Sequence, residues 1–95
     1  ENIACPEVEG AIYEHPDVLE ASVFGIPDER LGEILCSSIC LREGSKLSVE
    51  SLNEFLSDKL AAFKIPVKIK FTYNPLPKIA SGKFDKPTMR QNFIE

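Results

Sequence analysis

The chain has 95 residues, 43% of them hydrophobic, which suits one modest buried core and therefore one domain. Eleven Lys and Arg against fifteen Asp and Glu leave a net charge of −4 and a pI near 5.0, which excludes a general nucleic-acid or anionic-membrane binder, because either needs excess cations gathered on one face. No apolar run approaches the roughly 20 residues that cross a bilayer, and no basic start leads into an apolar stretch, so the expectation is a soluble, cytoplasmic protein without a transmembrane segment.

The opening "ENIACPEVEGAIYEHP" predicts a helix, with Pro6 suited to its first turn, Glu7 and Glu9 near its N-terminus, and Val8, Ala11 and Ile12 on one face. It has no initiator Met and reads as a piece cut from a longer protein. His15, ahead of Pro16, is read as a helix-end residue. "DVLEASVFGIPDE" predicts a strand ended by Gly25 and Pro27, "PDERLGE" a turn, and "EILCSSICL" a second strand. Three cysteines, Cys5, Cys36 and Cys40, with one histidine, make no metal-ligand spacing, so buried thiols in a reducing compartment are expected.

"REGSKLS" is a loop, and Ser48 is a good N-cap for a helix that carries Val49, Leu52, Phe55, Leu56 and Leu60 at helical spacing. Pro66 bounds that helix, with Lys64 a surface residue before it. "VKIKFTY" alternates, placing Val67, Ile69, Phe71 and Tyr73 on one face and Lys68, Lys70 and Thr72 on the other, as a strand with one wet face does. A loop and a short last helix follow, with Asp85 as its cap. The order predicts an α+β single domain, a small mainly antiparallel sheet covered by helices.

The loop "LPKIASGKFDKPTMR" holds the chemistry. Pro75 and Pro77 restrict the incoming backbone, Gly82 permits a conformation or close approach that a side chain forbids, and Lys83 follows directly. A phosphate-cradling P-loop is excluded, because that motif ends in Gly-Lys-Ser/Thr and here Phe84 follows Lys83. By itself a Gly-Lys pair in a loop is ordinary solvated surface.

Taken together and in order, the motifs resemble the small C-terminal domain of the adenylate-forming superfamily, which includes acyl-CoA synthetases, peptide-synthetase adenylation domains and luciferases. "ENI" with "EVE" resembles the end of the segment after the interdomain hinge, and "HPDVLEASVFGIPDERLGE" the strand-turn-strand signature. "FKIPVKIKF" resembles the Tyr-Lys-x-Pro segment, with Phe63 in the tyrosine position. "LPKIASGKFDKPTMR" resembles the terminal motif Leu-Pro-x-Thr-x-Ser-Gly-Lys-x-x-Lys-x-x-Leu-Arg, with Ile79 in place of threonine and Met89 in place of leucine. Pro6 stands one place later than the usual proline.

The resemblance implies that residues 1–95 form the C-terminal lid of a larger enzyme, working against its own N-terminal domain. It implies ATP and CoA as reactants and a carboxylic acid, a fatty acid in the ligases this chain most resembles, as substrate. Mg2+ is expected in the whole enzyme but not on this domain. Lys83 matches the catalytic lysine and Gly82 the glycine that brings the loop to the nucleotide. Arg30 in the turn is a candidate CoA-phosphate contact, and Lys86 and Arg90 on the last helix are candidate sources of added positive potential. The domain is expected to rotate between half-reactions, presenting the Lys83 loop for adenylation and another face for thioester formation. The alternatives are a peptide-synthetase adenylation domain and a non-catalytic interaction module.

Overall fold

The structure, a computed structural model, describes residues 2–94. Helix α1 spans Cys5–Tyr13, strand β1 Val18–Asp28, strand β2 Gly32–Leu41, helix α2 Val49–Ser57, strand β3 Lys68–Thr72 and helix α3 Lys86–Ile94, with a short 3-10 turn at Ala62–Lys64. The sheet has the order β1-β2-β3 and is mixed: β1 and β2 form a long antiparallel hairpin, and β3 pairs parallel to β2 over Cys36–Cys40. The parallel pair follows from α2, which lies between the two strands and carries the chain back to the end where β2 began.

Alternation along β1 and β2 separates two hydrophobic layers. Val8, Ile12, Leu52 and Leu56 from α1 and α2 pack with Val23 and Ile39 on one face of the sheet. Phe24, Ile34 and Cys36 face the other way and receive Met89 from α3 and Leu76 from the loop before it. The sheet is therefore covered on both faces, the second by α3 and the loop that leads into it.

The helix ends follow local chemistry. Pro6 sits in the first turn of α1, Ser48 Oγ accepts the Ser51 N–H at 3.0 Å at the start of α2, and Asp85 accepts the Thr88 N–H at 3.2 Å at the start of α3. Two predicted ends are corrected. Helix α2 stops at Ser57, so Leu60 enters the core from the turn beyond it. Strand β1 runs through Gly25 and Pro27 to Asp28, because β1 is an edge strand and an edge tolerates a residue with no N–H to donate.

Strand β3 is shorter than its alternation suggests. Val67 and Tyr73 lie outside it and are 64% and 58% exposed, while Ile69 and Phe71 pack on the α1/α2 core. Tyr73 instead donates its hydroxyl to the Ser45 carbonyl. His15 lies just past α1, accepts the Asp17 N–H on Nδ1 and packs edge-on against Phe55 at 4.8 Å, in keeping with a helix-end role. Lys64 pairs with Glu7 on the surface at 2.7 Å.

Candidate functional site

Residues 77–85 form a small hairpin between β3 and α3. Its arms are joined by the Asp85 N–H to the Pro77 carbonyl, by the Lys78–Phe84 bridge, and by the Ile79 N–H to the Lys83 carbonyl at 2.9 Å. The tip closes when the Gly82 N–H donates to the Ile79 carbonyl at 2.9 Å. Gly82 has φ +94°, a region where other L-residues are strained, and this is the physical reason a glycine stands there. Lys83 comes next, exposed, with its backbone carbonyl held in the hairpin and its ammonium in no ion pair or hydrogen bond among the described residues.

Both ends of this hairpin are tied to the free edge of β1. On the incoming arm, Glu20 Oε1 accepts the Leu76 N–H at 2.8 Å while Oε2 pairs with Lys78 Nζ at 2.7 Å. Lys78 also donates to the Leu76 carbonyl and lies 5.4 Å from the centre of the Phe84 ring, so one ammonium touches both arms. Burial of the Glu20 carboxyl would raise its pKa; the Lys78 hydrogen bond, the Leu76 N–H and the Lys78 charge outweigh this and hold it below the usual carboxylate range. Past the hairpin, Lys86 pairs at 3.2 Å with Glu9 Oε2, which also accepts the Val23 N–H from the edge of β1.

The predicted site residues divide. Gly82 and Lys83 stand together at the hairpin tip. Lys86 is engaged with Glu9 across the sheet edge, and Arg90 Nε donates to the Gly25 carbonyl at 3.0 Å with its guanidinium over the Phe24 ring. Both hold α3 against β1. Arg30 sits in the β1–β2 turn, where Asp28 Oδ2 accepts the Arg30 and Leu31 N–H groups. From Glu20, which anchors the hairpin, to Asp28, which opens that turn, β1 runs eight residues, about 26 Å of strand. Arg30 and the Glu20 anchor of the Lys83 hairpin therefore lie towards opposite ends of β1.

The Arg30 end borders an apolar groove of about 650 Å3 lined by Ile3, Leu31, Phe63, Ile65 and Val67 among others. Ile3 and Phe63 are 94% and 82% exposed, so this end shows solvent far more apolar surface than scattered single residues would. No group of three or more His, Cys, Asp or Glu side chains among the described residues is placed to hold a metal. Among the described residues no helix is long and apolar enough to cross a membrane.

Sequence reasoning did not single out Glu20 or Lys78, and read Glu9 only as an acidic residue near the start of the first helix. The one available signal was Glu20 itself, a carboxylate inside an otherwise apolar strand. Its partner lies 58 positions away, beyond the reach of any local pattern.

Comparison with known proteins fits this geometry. The family described as AMP-binding enzyme C-terminal domain matches residues 7–83. The oxalate–CoA ligase of Arabidopsis thaliana is 40% identical over 95 residues, covering all of this chain and 18% of the relative. The human mitochondrial medium-chain acyl-CoA ligase ACSF2 is 40% identical over 91 residues, covering 96% of this chain and 15% of the relative. Among solved structures, ATP-bound MatB from Rhodopseudomonas palustris superposes with a TM-score of 0.86 at 28% identity over 94% of this chain and 18% of its own. A Mycobacterium tuberculosis fatty acyl CoA synthetase gives 0.82 at 30% identity, over 94% and 17%. The chain thus spans less than a fifth of the curated relatives and solved structures it matches. With the motifs in order, the fold superposing and the family matched over most of its length, the chain belongs to the AMP-binding enzyme C-terminal domain family.

Proposed function

We propose that the full protein is an AMP-forming acid–thiol ligase in which this domain is the C-terminal lid over its own N-terminal domain. In the first half-reaction a substrate carboxylate attacks the α-phosphorus of ATP, giving acyl-adenylate and pyrophosphate. In the second, the CoA thiol attacks the acyl carbon, AMP leaves with the bonding pair, and the thiol proton goes to solvent or a base of the larger domain. Negative charge spreads over the carboxylate and phosphate oxygens during the first step. A cation held among them there stabilises the transition state more than the ground state.

One observation carries the role of Lys83. Of the five cations from Lys70 to Arg90, Lys70 donates to the Asn92 carbonyl, Lys78 and Lys86 pair with Glu20 and Glu9, and Arg90 binds the Gly25 carbonyl. Only Lys83 has no such partner among the described residues, and it stands at the tip of a hairpin. The flexible stem and compact ammonium of lysine suit reach into a site formed mostly by another domain. The separate Arg30 end, with its apolar groove, supports the second face required for thioester formation, where Arg30 would meet a CoA phosphate. The buried thiols Cys36 and Cys40 support a reducing, cytoplasmic setting.

The proposed acid is a fatty acid, supported by the medium-chain and fatty acyl relatives. Oxalate is the second reading, favoured by 40% identity to an oxalate–CoA ligase over the full chain. Pyrophosphate release by the full-length protein with octanoate and with oxalate separates the two. The lid role is tested by Lys83→Ala in that protein. The expected result is a loss of about 10²- to 10³-fold in adenylation, by analogy with deletion of an oxyanion-hole donor, with thioester formation from preformed acyl-adenylate and CoA retained. Equal loss in both half-reactions, or none in either, overturns it.

A further inference from the structure

Glu20 stands on the edge strand, remote in sequence from Lys83, yet its carboxylate makes two contacts with the arm that leads to it. Oε1 takes the backbone N–H of Leu76 and Oε2 the ammonium of Lys78. The two contacts do different things. The first fixes where the chain leaves the core, since Leu76 is itself buried beneath α3. The second fixes the hairpin: Lys78 pairs across it with Phe84, the residue after Lys83, and its ammonium lies against the Phe84 ring. Both side chains are partly shielded, Glu20 25% and Lys78 34% exposed, where a charge-assisted contact is stronger than on open surface.

From this geometry we propose that Glu20, acting through Lys78, is a positioning residue for Lys83, fixing the hairpin to the edge of β1 so that the lysine is delivered to the reacting phosphate in a defined place. The proposal rests on the lid role assigned to Lys83. Burial of Leu76 and Met89 secures the two flanks of the segment and Phe84 packs partly against the same core, but such non-directional contacts do not by themselves restrain the tilt of the hairpin between them. The Glu20–Lys78–Phe84 contact does, because it lies one residue from Lys83 on the opposite arm. A tether there limits swing at the tip without occupying the ammonium that has to meet substrate.

The test uses the full-length enzyme with Glu20→Gln, Lys78→Met, Lys78→Arg and the Glu20→Gln/Lys78→Met pair. Glutamine keeps an acceptor for the Leu76 N–H but offers no charge to Lys78; arginine keeps the ion pair. Displacing a reacting group by about 1 Å costs on the order of 10²-fold, so Glu20→Gln and Lys78→Met should each lower the turnover of ATP–pyrophosphate exchange about 10- to 100-fold. The KM for ATP should stay within about threefold, and Lys78→Arg should retain most activity. The double variant should be no worse than the worse single, because both remove one contact. Thioester formation from preformed acyl-adenylate and CoA should persist, and amide exchange at Ile79, whose N–H closes the hairpin onto Lys83, should quicken.

Equal losses in the two half-reactions overturn the proposal, as does unchanged adenylation in Glu20→Gln and Lys78→Met. Additive losses in the double variant also overturn it. Should Glu20→Gln fail to fold, the comparison of Lys78→Met with Lys78→Arg decides the question alone. Lys83→Ala measured beside them tells the two failures apart. If that variant adenylates normally, the lid role falls and the anchor with it; if it is inactive while the Glu20 and Lys78 variants are not, the anchor alone falls.

Discussion

Gly82→Ala isolates the backbone contribution of the hairpin. A Cβ at Gly82 meets nothing within 4 Å, so the substitution introduces no collision, and its whole cost arises from φ +94°. Holding an ordinary L-residue in left-handed backbone costs about 1–2 kcal/mol, which is a factor of roughly 5 to 30 in the population of the native turn. The Gly82 N–H to Ile79 carbonyl bond that closes the tip opens or shifts by that margin, and Lys83, the next residue, shifts with it. In the full-length enzyme, adenylation turnover should fall by up to about the same 5- to 30-fold while ATP affinity changes little. Gly82→Asn should lie between glycine and alanine, because asparagine tolerates positive φ better than other non-glycine residues. The assay is ATP–pyrophosphate exchange on the three proteins, with amide exchange at Ile79 and Gly82 as the structural readout. If alanine and asparagine both match glycine, the reasoning fails, since the turn would then not depend on a residue free of Cβ strain.

Cys36 and Cys40 should resist a thiol reagent until the protein unfolds. Burial pushes both thiols up, with the Glu20 charge adding to the rise at Cys40, so the reactive thiolate is disfavoured. Their contribution to stability is present below the unfolded thiol value of about 8.5 and is lost as pH climbs towards the raised folded values, which denaturation at pH 7 and pH 10 should register. Met89→Ala should destabilise by about 2–5 kcal/mol in denaturant melts, because this side chain is 1% exposed and fastens α3 over the second sheet face. Asp85→Ala should cost about 1 kcal/mol by removing the cap on the Thr88 N–H, seen as a lower midpoint with an unchanged slope.

What was legible in the sequence is what short spacing decides. Ser48 and Asp85 are caps because a side-chain oxygen reaches the amide three residues on, and that requires no knowledge of the rest of the chain. Ile34, Cys36 and Cys40 share a face because strand periodicity is two. The misread features depend on neighbours that sequence does not display. Pro27 looks like a strand end until β1 is known to be an edge, and Leu60 extends the helical spacing of α2 although the helix has already ended. The contacts of Lys86 with Glu9 and of Arg90 with the Gly25 carbonyl are likewise invisible to local spacing.

Glu20 joins fold to chemistry most directly, and pH gives it a signature. Its carboxyl lies below the usual range because Lys78 and the Leu76 N–H overcome the burial penalty, so the folded state favours the charged form. The stabilisation is therefore present above the ordinary glutamate value of about 4.3 and is lost as pH falls through the lower folded value. Comparing wild type with Glu20→Gln, the stability gap should be widest near pH 7 and should narrow in acid, where protonation of Glu20 makes the wild type resemble the variant. Lys83 should not share this signature, because no carboxylate among the described residues pairs with it; Lys83→Ala should leave the acid limb of the stability profile in place. A gap between wild type and Glu20→Gln that is constant from pH 7 into acid would mean that the Leu76 N–H contact, which glutamine preserves, holds the hairpin and that the charge on Lys78 contributes nothing.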